Sequence, residues 1–361
     1  MSEAAVSQMA VYSSRPTIRI DGQEFAMASE LLIGIDMREQ EGGLSALELR
    51  LSNIASDPSG GADYAFENEE QIKLGAAITV YTGDATAPQE IFRGTITGLE
   101  ADFPETNPPE LLILAEDALQ AARMTRKTQI YEDLSISDLA NTIASNISVS
   151  PVITGLTDTV GTWVQLNESD LAFLRRILRR YDADAQIVGN ELHVSPRKDV
   201  QRGELELAMF SQLRSVRFIA DLTGQVSEVT VSGWDALGGQ RVTATSTGAN
   251  LGPGEGRRGS QVLAQTIGER TEHVGHVAVG TNDEAQALAD TVFDQRARRF
   301  VCAHGTAEGN PGLRVGTHIR LTGVSARFQN TYYVVAVHHR YDVRQGYETD
   351  FEAECYTLGN P

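Results

Sequence analysis

The sequence contains no run of about 18 consecutive apolar residues, the length that a membrane-spanning helix requires, so no membrane insertion is predicted. The segment Met1–Tyr12 carries no basic stretch followed by an apolar core, and no secretory signal is predicted there. Cysteine is scarce as well, because Cys302 and Cys355 are the only two, and both lie in strand-like segments. They could be neighbours, but buried free thiols are the favoured interpretation, since nothing else in the sequence indicates an oxidising compartment.

Basic residues are fewer than acidic ones, and the difference is larger in the first third of the chain than in the rest. The 361 residues carry 49 acidic and 30 basic side chains, a formal net charge of −19. Residues 1–120 hold 21 Asp/Glu and 6 Lys/Arg, a net of −15, whereas residues 121–361 hold 28 and 24, a net of −4. Stable nucleic-acid binding needs a basic face and is therefore not predicted. The acidic excess favours solubility through self-repulsion, and the alternative is a channel lining past which DNA or a protein cargo moves.

Signatures of catalysis and of cofactor binding are missing. The sequence has no Gly-x-Ser-x-Gly, His-Glu-x-x-His, Walker or dinucleotide motif, and the glycine-rich segment Gly252–Gly256 is followed by neither a helix start nor a phosphate-binding lysine. The closest histidine pairs are His273 with His276 and His338 with His339. On predicted strands, these spacings place the two rings on opposite faces. We therefore predict no catalytic residue, no metal site, no cofactor and no enzymatic activity.

The pattern that is present is that of short β-strands, in the first and last thirds of the chain. Leu47, Leu49 and Leu51 alternate with Glu48 and Arg50, which is typical of a half-buried strand. Such strands favour twisted antiparallel sheets that close into small barrels. Further strands, and the two longer loops Thr82–Gln89 and Thr245–Ser260, are predicted as follows: Thr17–Ile20, Ile78–Tyr81, Ile91–Thr97, Leu111–Ala115, Val226–Val231, Phe300–Gly305, Thr317–Thr322, Tyr332–Tyr341 and Thr349–Tyr356.

The middle of the chain, residues 123–203, has a different pattern. A helix is predicted over Leu139–Ile147 from apolar residues four apart, with Ser135 or Ser137 as its N-cap. The segment Ala185–Ser195 is predicted to be a hairpin, because a Gly-Asn pair supplies a two-residue turn. The region therefore resembles a small α/β insert between two β-rich blocks.

A second helix of the insert is predicted after Asn167–Asp170, because apolar residues recur at spacings of three and four from Leu171 to Leu178. Its other face carries the densest charge of the chain. A solvated helix face is the default interpretation. The sharper one is a subunit interface that pairs with acidic groups of another copy, because guanidinium groups bind carboxylates bidentately. The candidate interface residues are Arg175, Arg176, Arg179 and Arg180.

Four segments carry recognisable motifs, in order along the chain: Phe92–Glu100, Asn167–Arg176, Val229–Asp235 and Leu313–Thr349. The second reads Asn-Glu-Ser-Asp-Leu-Ala-Phe-Leu-Arg-Arg, and the third ends in Gly-Trp-Asp. Together they resemble the family of phage late control protein D and VgrG-type baseplate hubs. The resemblance covers roughly residues 15–358.

The resemblance implies a mainly β fold with an α/β insert: two tube-like antiparallel β-barrel domains and a small α/β domain, assembled as a trimeric ring. The implied domains are 1–122, 123–203 and 204–361, the last with one long helix at about 283–299 that Asn282–Glu284 would cap. The implied function is a homotrimeric symmetry adapter that joins a hexameric inner tube to a trimeric spike.

Because the sequence ends at Pro361 without a needle-like region, a separate spike protein is expected. The other implied partners are the inner tube protein and further baseplate proteins, after assembly in the cytoplasm of the producing cell. Two alternatives are a tail-associated cell-wall hydrolase and a carbohydrate- or receptor-binding module. The first needs converging carboxylates or a metal site, and the second needs exposed aromatic clusters, whereas aromatic residues make up 6% of the chain and fall mainly in strand or helix patterns.

Overall fold

The computed structural model describes residues 15–56, 62–67, 72–84 and 87–359. The segment Met1–Tyr12, considered above for a secretory signal, lies outside the described residues. The predicted mainly β fold is confirmed, because antiparallel strands dominate the outer blocks and the middle block combines short strands with two helices. Along the described stretches, no helix combines the length and the apolar composition needed to span a bilayer.

The first block is built from strands with one buried face. Leu47, Leu49 and Leu51 are buried, as the alternation predicts. The predicted loop Thr82–Gln89 is wrong in extent, because Thr82 pairs with Gln89 and the ladder continues to residues 84 and 87; residues 85–86 lie outside the described residues. Backbone pairing extends a hairpin without apolar side chains, so the sequence pattern ends too early. The elements are β1 Thr17–Ile20, β2 Gln23–Glu24, α1 Ala26–Glu30, β3 Leu32–Gln40, β4 Ala46–Ser52, β5 Ala55–Ser56, β6 Ala62–Asp63, β7 Ala77–Asp84, β8 Ala87–Asp102 and β9 Glu110–Glu116, then a 3₁₀ turn at Ala118–Arg123.

The middle block contains both predicted helices and the predicted hairpin. Ser135 caps the first helix and Ser169 caps the second, each hydroxyl accepting a hydrogen bond from a backbone N–H three residues on. The hairpin strands pair from Ala183 with Pro196 to Val188 with Glu191. The elements are β10 Arg126–Tyr131, α2 Ile136–Asn146, β11 Ser150–Ile153, β12 Trp163–Ser169, α3 Asp170–Arg180, β13 Ala183–Val188 and β14 Glu191–Pro196, then a 3₁₀ turn at Arg197–Asp199.

The last block returns to strands and contains the long helix. The elements are β15 Gly203–Ala208, β16 Leu213–Ala220, β17 Glu228–Asp235, β18 Gln240–Ser246, β19 Arg257–Arg258, α4 Gly259–Thr266, β20 Thr271–Val274, α5 Asn282–Arg298, β21 Val301–Glu308, β22 Thr317–Thr322, β23 Asn330–Asp342, β24 Gly346–Cys355 and β25 Thr357–Leu358.

Three details of this block correct the sequence predictions. The end of the predicted loop Thr245–Ser260 is ordered, because β19 pairs with β25 and α4 begins directly after it. The cap of α5 is Thr281, whose hydroxyl accepts from the N–H of Glu284 at 3.1 Å. His276 lies beyond β20, so only His273 of that pair is on a strand.

The two cysteines are free, as predicted, but only Cys355 is buried, whereas Cys302 is half-buried. The difference follows from their strands. Cys302 on β21 lies opposite Glu354 of β24, and Val301 lies opposite Cys355, so the two thiols are one position apart in register. Neighbouring positions alternate between the two faces of a sheet.

A single sheet of 13 strands runs through both outer blocks. Its path is β16-β21-β24-β23-β3-β4-β9-β8-β7-β1-β2, with β22 joining β23 and β15 joining β22. The two blocks meet where β23 pairs with β3 from Ala336 opposite Gln40 to Asp342 opposite Gly34. We call this pairing the seam. The described residues form four apolar clusters, drawn from residues 18–115, 119–194, 207–355 and 226–297.

Candidate subunit interface

The four arginines predicted as an interface lie on α3, opposite the side that packs into the insert. The buried side consists of Leu171, Phe173, Leu174, Ile177 and Leu178. Among the arginines, Arg176 and Arg179 are exposed, whereas Arg175 and Arg180 are half-buried. The arginines therefore share a face in sequence but differ in environment.

Arg176 and Arg180 are committed to contacts inside the chain. Nη2 of Arg176 donates to Oε2 of Glu168 at 2.8 Å and to the carbonyl of Val164 at 2.9 Å. Nη2 of Arg180 donates to the carbonyl of Ala278 at 2.7 Å. Both guanidinium groups lie 5.5 Å from the ring centre of Trp163, a cation–π arrangement. These two residues hold α3 against β12 and against the segment before α5.

In the described part of the chain, the positive charges of Arg175 and Arg179 are not balanced by a paired carboxylate. Nε of Arg175 donates to the backbone carbonyl of Gly42 at 2.5 Å, which supplies a hydrogen bond but no negative charge. Burial lowers the pKa of Arg175, and the charge of Arg179 lowers it further, while Asp117 opposes both. Arg179 makes no hydrogen bond or ion pair with any residue that the structure describes. This end of α3 therefore carries positive charge without a paired carboxylate.

Both residues line a crevice of about 530 Å³ between α3, the end of α5 and the sheet at the seam. Arg299, directly after α5, also lines the crevice, and its side chain is 79% exposed, with Nε 4.0 Å from the carboxylate of Glu354. We call Arg175, Arg179 and Arg299 the arginine lip. The lip combines two of the four predicted residues with one that the sequence pattern does not indicate.

The floor of the crevice is a buried ion triad. Arg197 is 6% exposed and donates from Nε to Glu41 and from Nη2 to Glu354, and its guanidinium lies 3.9 Å from the ring centre of Tyr333. Burial raises the pKa of Glu41, and Arg197 opposes that rise. Burial alone would lower the pKa of Arg197, but Glu354 and Glu41 outweigh it and raise the pKa. One residue from each block contributes to the triad.

A second buried junction also joins three blocks. The carboxylate of Glu39 on β3 accepts from Arg314 Nε at 2.7 Å and from Gln186 Nε2 at 2.8 Å. Beside it, Asp184 accepts from the N–H of Gly42 at 2.8 Å and from Arg202 Nη2 at 2.9 Å. The blocks are thus fixed to one another by polar contacts as well as by the shared sheet.

An unpaired acidic surface lies at the other end of the first block. Glu100, Asp102 and Glu105, at the end of β8 and in the loop after it, are exposed and make no ion pair within the described part of the chain. Beside them, Phe103 and Tyr64 form an edge-to-face pair with ring centres 5.6 Å apart, and they are 59% and 46% exposed. We call the three carboxylates the acidic tip.

Histidines on the sheet face are paired with carboxylates. Nε2 of His338 lies 2.9 Å from Asp36 across the seam, and its Nδ1 lies 3.7 Å from Asp350. Nδ1 of His304 lies 3.7 Å from Glu352. Over the residues that the structure describes, no group of three or more His, Cys, Asp or Glu side chains is arranged to hold a metal ion. These histidines therefore lie beside carboxylates of the sheet and are not grouped as metal ligands in the described residues.

Comparison with solved structures shows which proteins share this fold. The 43 kDa tail protein of prophage MuSo2 from Shewanella oneidensis superimposes with a TM-score of 0.70 at 12% identity, over 94% of this chain and 97% of that one. The tail protein from Neisseria meningitidis MC58 gives 0.66 at 11% identity, over 94% and 96%. The E. coli c3393 protein gives 0.60 at 12% identity, over 95% and 79%; it is a component of the type VI secretion system with structural similarity to the T4 tail proteins gp27 and gp5.

At these identities, the similarity concerns the fold alone. No curated protein sequence matches the chain. One family of sequences does, the Alg8 N-terminal domain, which matches residues 15–342. That match spans the sheet on both sides of the seam, the α/β insert and the arginine lip. The chain therefore belongs to the Alg8 N-terminal domain family.

Proposed function

We propose that this chain is the structural baseplate hub of a contractile tail or injection system: a homotrimeric symmetry adapter that joins a hexameric inner tube to a trimeric spike. The observation that carries the proposal is the fold, which phage tail proteins share over 94% of the chain, together with the sheet that runs unbroken through the first and last blocks. In this proposal the role is mechanical, and the chain performs no catalysis.

Symmetry provides the physical reason. A threefold assembly can present a sixfold face only if each subunit carries two ring-forming units of similar shape. The proposed division into 1–122, 123–203 and 204–361 supplies two such units with an insert between them. Apolar clusters within 18–115, 119–194 and 207–355 support this division. A further cluster within 226–297, between α5 and its small sheet, adds a compact body to the third unit.

The proposed partners are the inner tube protein on one side, a separate spike protein on the other and further baseplate proteins around the ring. The description of the E. coli c3393 protein as a type VI secretion component supports placing this chain among injection-system proteins. The narrower assignment, to the late control protein D and VgrG-type hubs, rests on the four sequence segments. Assembly in the cytoplasm of the producing cell, and passage of DNA or protein cargo through the ring, are parts of the same proposal.

Cryo-electron microscopy of the intact particle tests the proposal directly. We expect three copies on the particle axis, between the tube and the spike, and we expect particles without spikes when the gene is deleted. A single copy at the particle periphery contradicts the hub. Hydrolysis of purified peptidoglycan by the isolated chain contradicts the purely structural role.

A further inference from the structure

We propose that the arginine lip of one copy of this chain binds the acidic tip of a second copy, head to tail. The contact deepens the proposed hub function, on which its biological setting rests, because it names the surfaces through which neighbouring copies recognise each other. It follows from three features of the structure: unpaired cations at one place, unpaired carboxylates at another, and a distance that keeps them apart within one chain.

The lip has a surplus of positive charge. Other arginines of the crevice are matched, since Arg197 has two carboxylates and Arg298 donates to Asp182 from both Nη atoms. Arg179 has no carboxylate partner among the described residues. The nearest carboxylate to Arg299 is that of Glu354, 4.0 Å away, and it already accepts from Arg197. The remaining carboxylates of the crevice have other partners, since Asp184 accepts from Arg202 and Glu352 lies 3.7 Å from His304. Arg175 and Arg179 are therefore left without an ion-pair partner among the described residues.

The half-buried state of Arg175 strengthens this conclusion. A guanidinium removed from water is stabilised by a carboxylate, but the hydrogen-bond acceptor of Arg175 is a backbone carbonyl. Burial lowers the pKa of Arg175, Asp117 raises it from a distance, and the neighbouring charges of Arg179 and Arg123 oppose that rise. Its Nε is used, and its two Nη atoms make no hydrogen bond within the described stretches. A carboxylate entering the crevice would receive bidentate hydrogen bonds from this guanidinium.

The acidic tip has a surplus of negative charge, which complements the positive charge of the lip. Its nearest ion pair in sequence is Arg50 with Glu110 at 3.4 Å, and that pair satisfies Glu110 rather than any member of the tip. Glu100 and Asp102 are two apart on β8 and therefore project from the same face. Phe103, which is exposed, lies between Asp102 and Glu105 in sequence, so apolar surface adjoins the charge of the tip. This combination suits a protein contact better than a purely solvated surface.

The two surfaces lie at opposite ends of the same strands. At the lip end, Ala46 of β4 pairs with Glu116 of β9, close to the turn that holds Gly42; at the tip end, Ser52 pairs with Glu110. Six residues of strand separate those ends, or about 20 Å at 3.3–3.4 Å per residue. One chain cannot bring its own tip to its own lip, so the contact joins two copies. A head-to-tail contact of this kind closes a ring or continues as a filament.

The test uses two complementary charge reversals in the full chain. The first variant carries Arg179→Glu and Arg299→Glu in the lip, and the second carries Glu100→Arg and Glu105→Arg in the tip. A matched control, Arg327→Glu with Arg344→Glu, makes the same charge change at exposed arginines whose side chains have no partner within the described residues. Thermal unfolding establishes that each variant folds, and Arg179→Gln with Arg299→Gln replaces the first variant if it does not.

Sedimentation velocity at low ionic strength gives the readout. We expect the wild type and the control to self-associate in a salt-sensitive manner, and each reversal variant to associate at least about tenfold more weakly. A mixture of the two reversal variants should recover association, because the acidic tip of the first meets the arginine lip of the second, and the reversed lip of the first meets the reversed tip of the second with opposite charge.

Three results would overturn the inference. The first is a wild-type chain that stays monomeric at its highest soluble concentration. The second is association by both reversal variants at wild-type strength. The third is a loss confined to the lip variant, since the lip would then take a different acidic occupant. These results concern only the contact between copies, whereas the hub proposal is tested by the position of the chain in the particle. A failure of the lip–tip contact is therefore distinguishable from a failure of the hub proposal.

Discussion

Arg314 and Glu39 form a two-pronged ion pair across the seam, with Nε 2.7 Å from Oε2 and Nη2 3.2 Å from Oε1. The carboxylate is 1% exposed and also accepts from Gln186 at 2.8 Å. The three residues come from the last, first and middle blocks. One buried carboxylate therefore ties all three blocks together where the shared sheet crosses from one to the next.

Replacing Arg314 with methionine should destabilise the fold by about 3–5 kcal/mol, because the change keeps most of the side-chain volume but leaves a buried carboxylate without its cation. The free energy of unfolding in urea, measured for wild type and Arg314→Met, tests this. The double variant Glu39→Gln with Arg314→Met removes the stranded charge and should recover part of the loss. A stability of Arg314→Met equal to that of wild type would show that water solvates Glu39 and that the ion pair has little effect.

Replacing Arg197 even with lysine should destabilise the fold. The planar guanidinium group of Arg197 binds two carboxylates from different blocks at once and stacks on the ring of Tyr333. The compact ammonium group of lysine can reproduce neither the paired hydrogen bonds nor the stacking. We expect Arg197→Lys to lower the free energy of unfolding by about 2–3 kcal/mol, from one lost charged hydrogen bond and lost stacking. The matched control is Arg38→Lys, since the Arg38 side chain of its two-pronged pair with Asp36 is 70% exposed, and the change should alter stability by less than about 1 kcal/mol. Equal losses at the two positions would contradict the distinction between buried and exposed pairs.

The sequence pattern predicts local structure well where burial alternates with a fixed period. The leucines of β4 and the apolar stripes of α2 and α3 are buried as expected, because a residue's face is set by its neighbours in sequence. The hairpin β13–β14 follows from its Gly-Asn turn for the same reason. Errors arise at element ends, as at β7 and β8, where polar residues continue a ladder that apolar alternation does not detect.

Long-range partners could not be predicted in this way. Glu39 and Arg314 are 275 positions apart, and Arg197 and Glu354 are 157 apart, so no local spacing connects them. The candidate interface shows the same limit. Four arginines on one helical face look equivalent in sequence, but Glu168 and Ala278 already accept hydrogen bonds from two of them. The third member of the lip, Arg299, follows a different helix, α5.

The N-cap of α2 offers a test in which the sequence leaves two residues open and the structure selects one. Oγ of Ser135 accepts from the N–H of Asp138 at 3.0 Å and donates to its carboxylate at 2.7 Å, whereas Ser137 lies within the helix. Ser135→Ala should cost about 1 kcal/mol of unfolding free energy, and Ser137→Ala should cost little. Chemical denaturation of both variants under one set of conditions makes the comparison. A larger loss for Ser137→Ala would place the start of the helix elsewhere.

Asp117 should make stability depend on pH between about 4 and 6. Burial raises the pKa of this carboxyl from 3.8 to about 6, even though the N–H groups of Ser45 and Leu119 donate to it. A raised folded-state pKa means that the folded protein holds the proton more tightly than the unfolded chain. The contribution is therefore fully present below about pH 4 and is lost as the pH rises through about 6.

The difference between wild type and Asp117→Asn isolates this group, because other titrating groups cancel. The amide cannot ionise, and its single acceptor oxygen replaces two, so the variant should be offset by a constant amount at every pH. Urea unfolding from pH 4 to 7.5 should show the wild type losing up to roughly 3 kcal/mol relative to the variant, the equivalent of the shift from 3.8 to about 6. Parallel pH profiles would mean that Asp117 titrates at its ordinary value, so that the two backbone donors offset its burial completely. A profile that diverges in the opposite direction, with the wild type gaining stability as the pH rises, would mean that hydrogen bonding to the ionised carboxylate outweighs burial at this position.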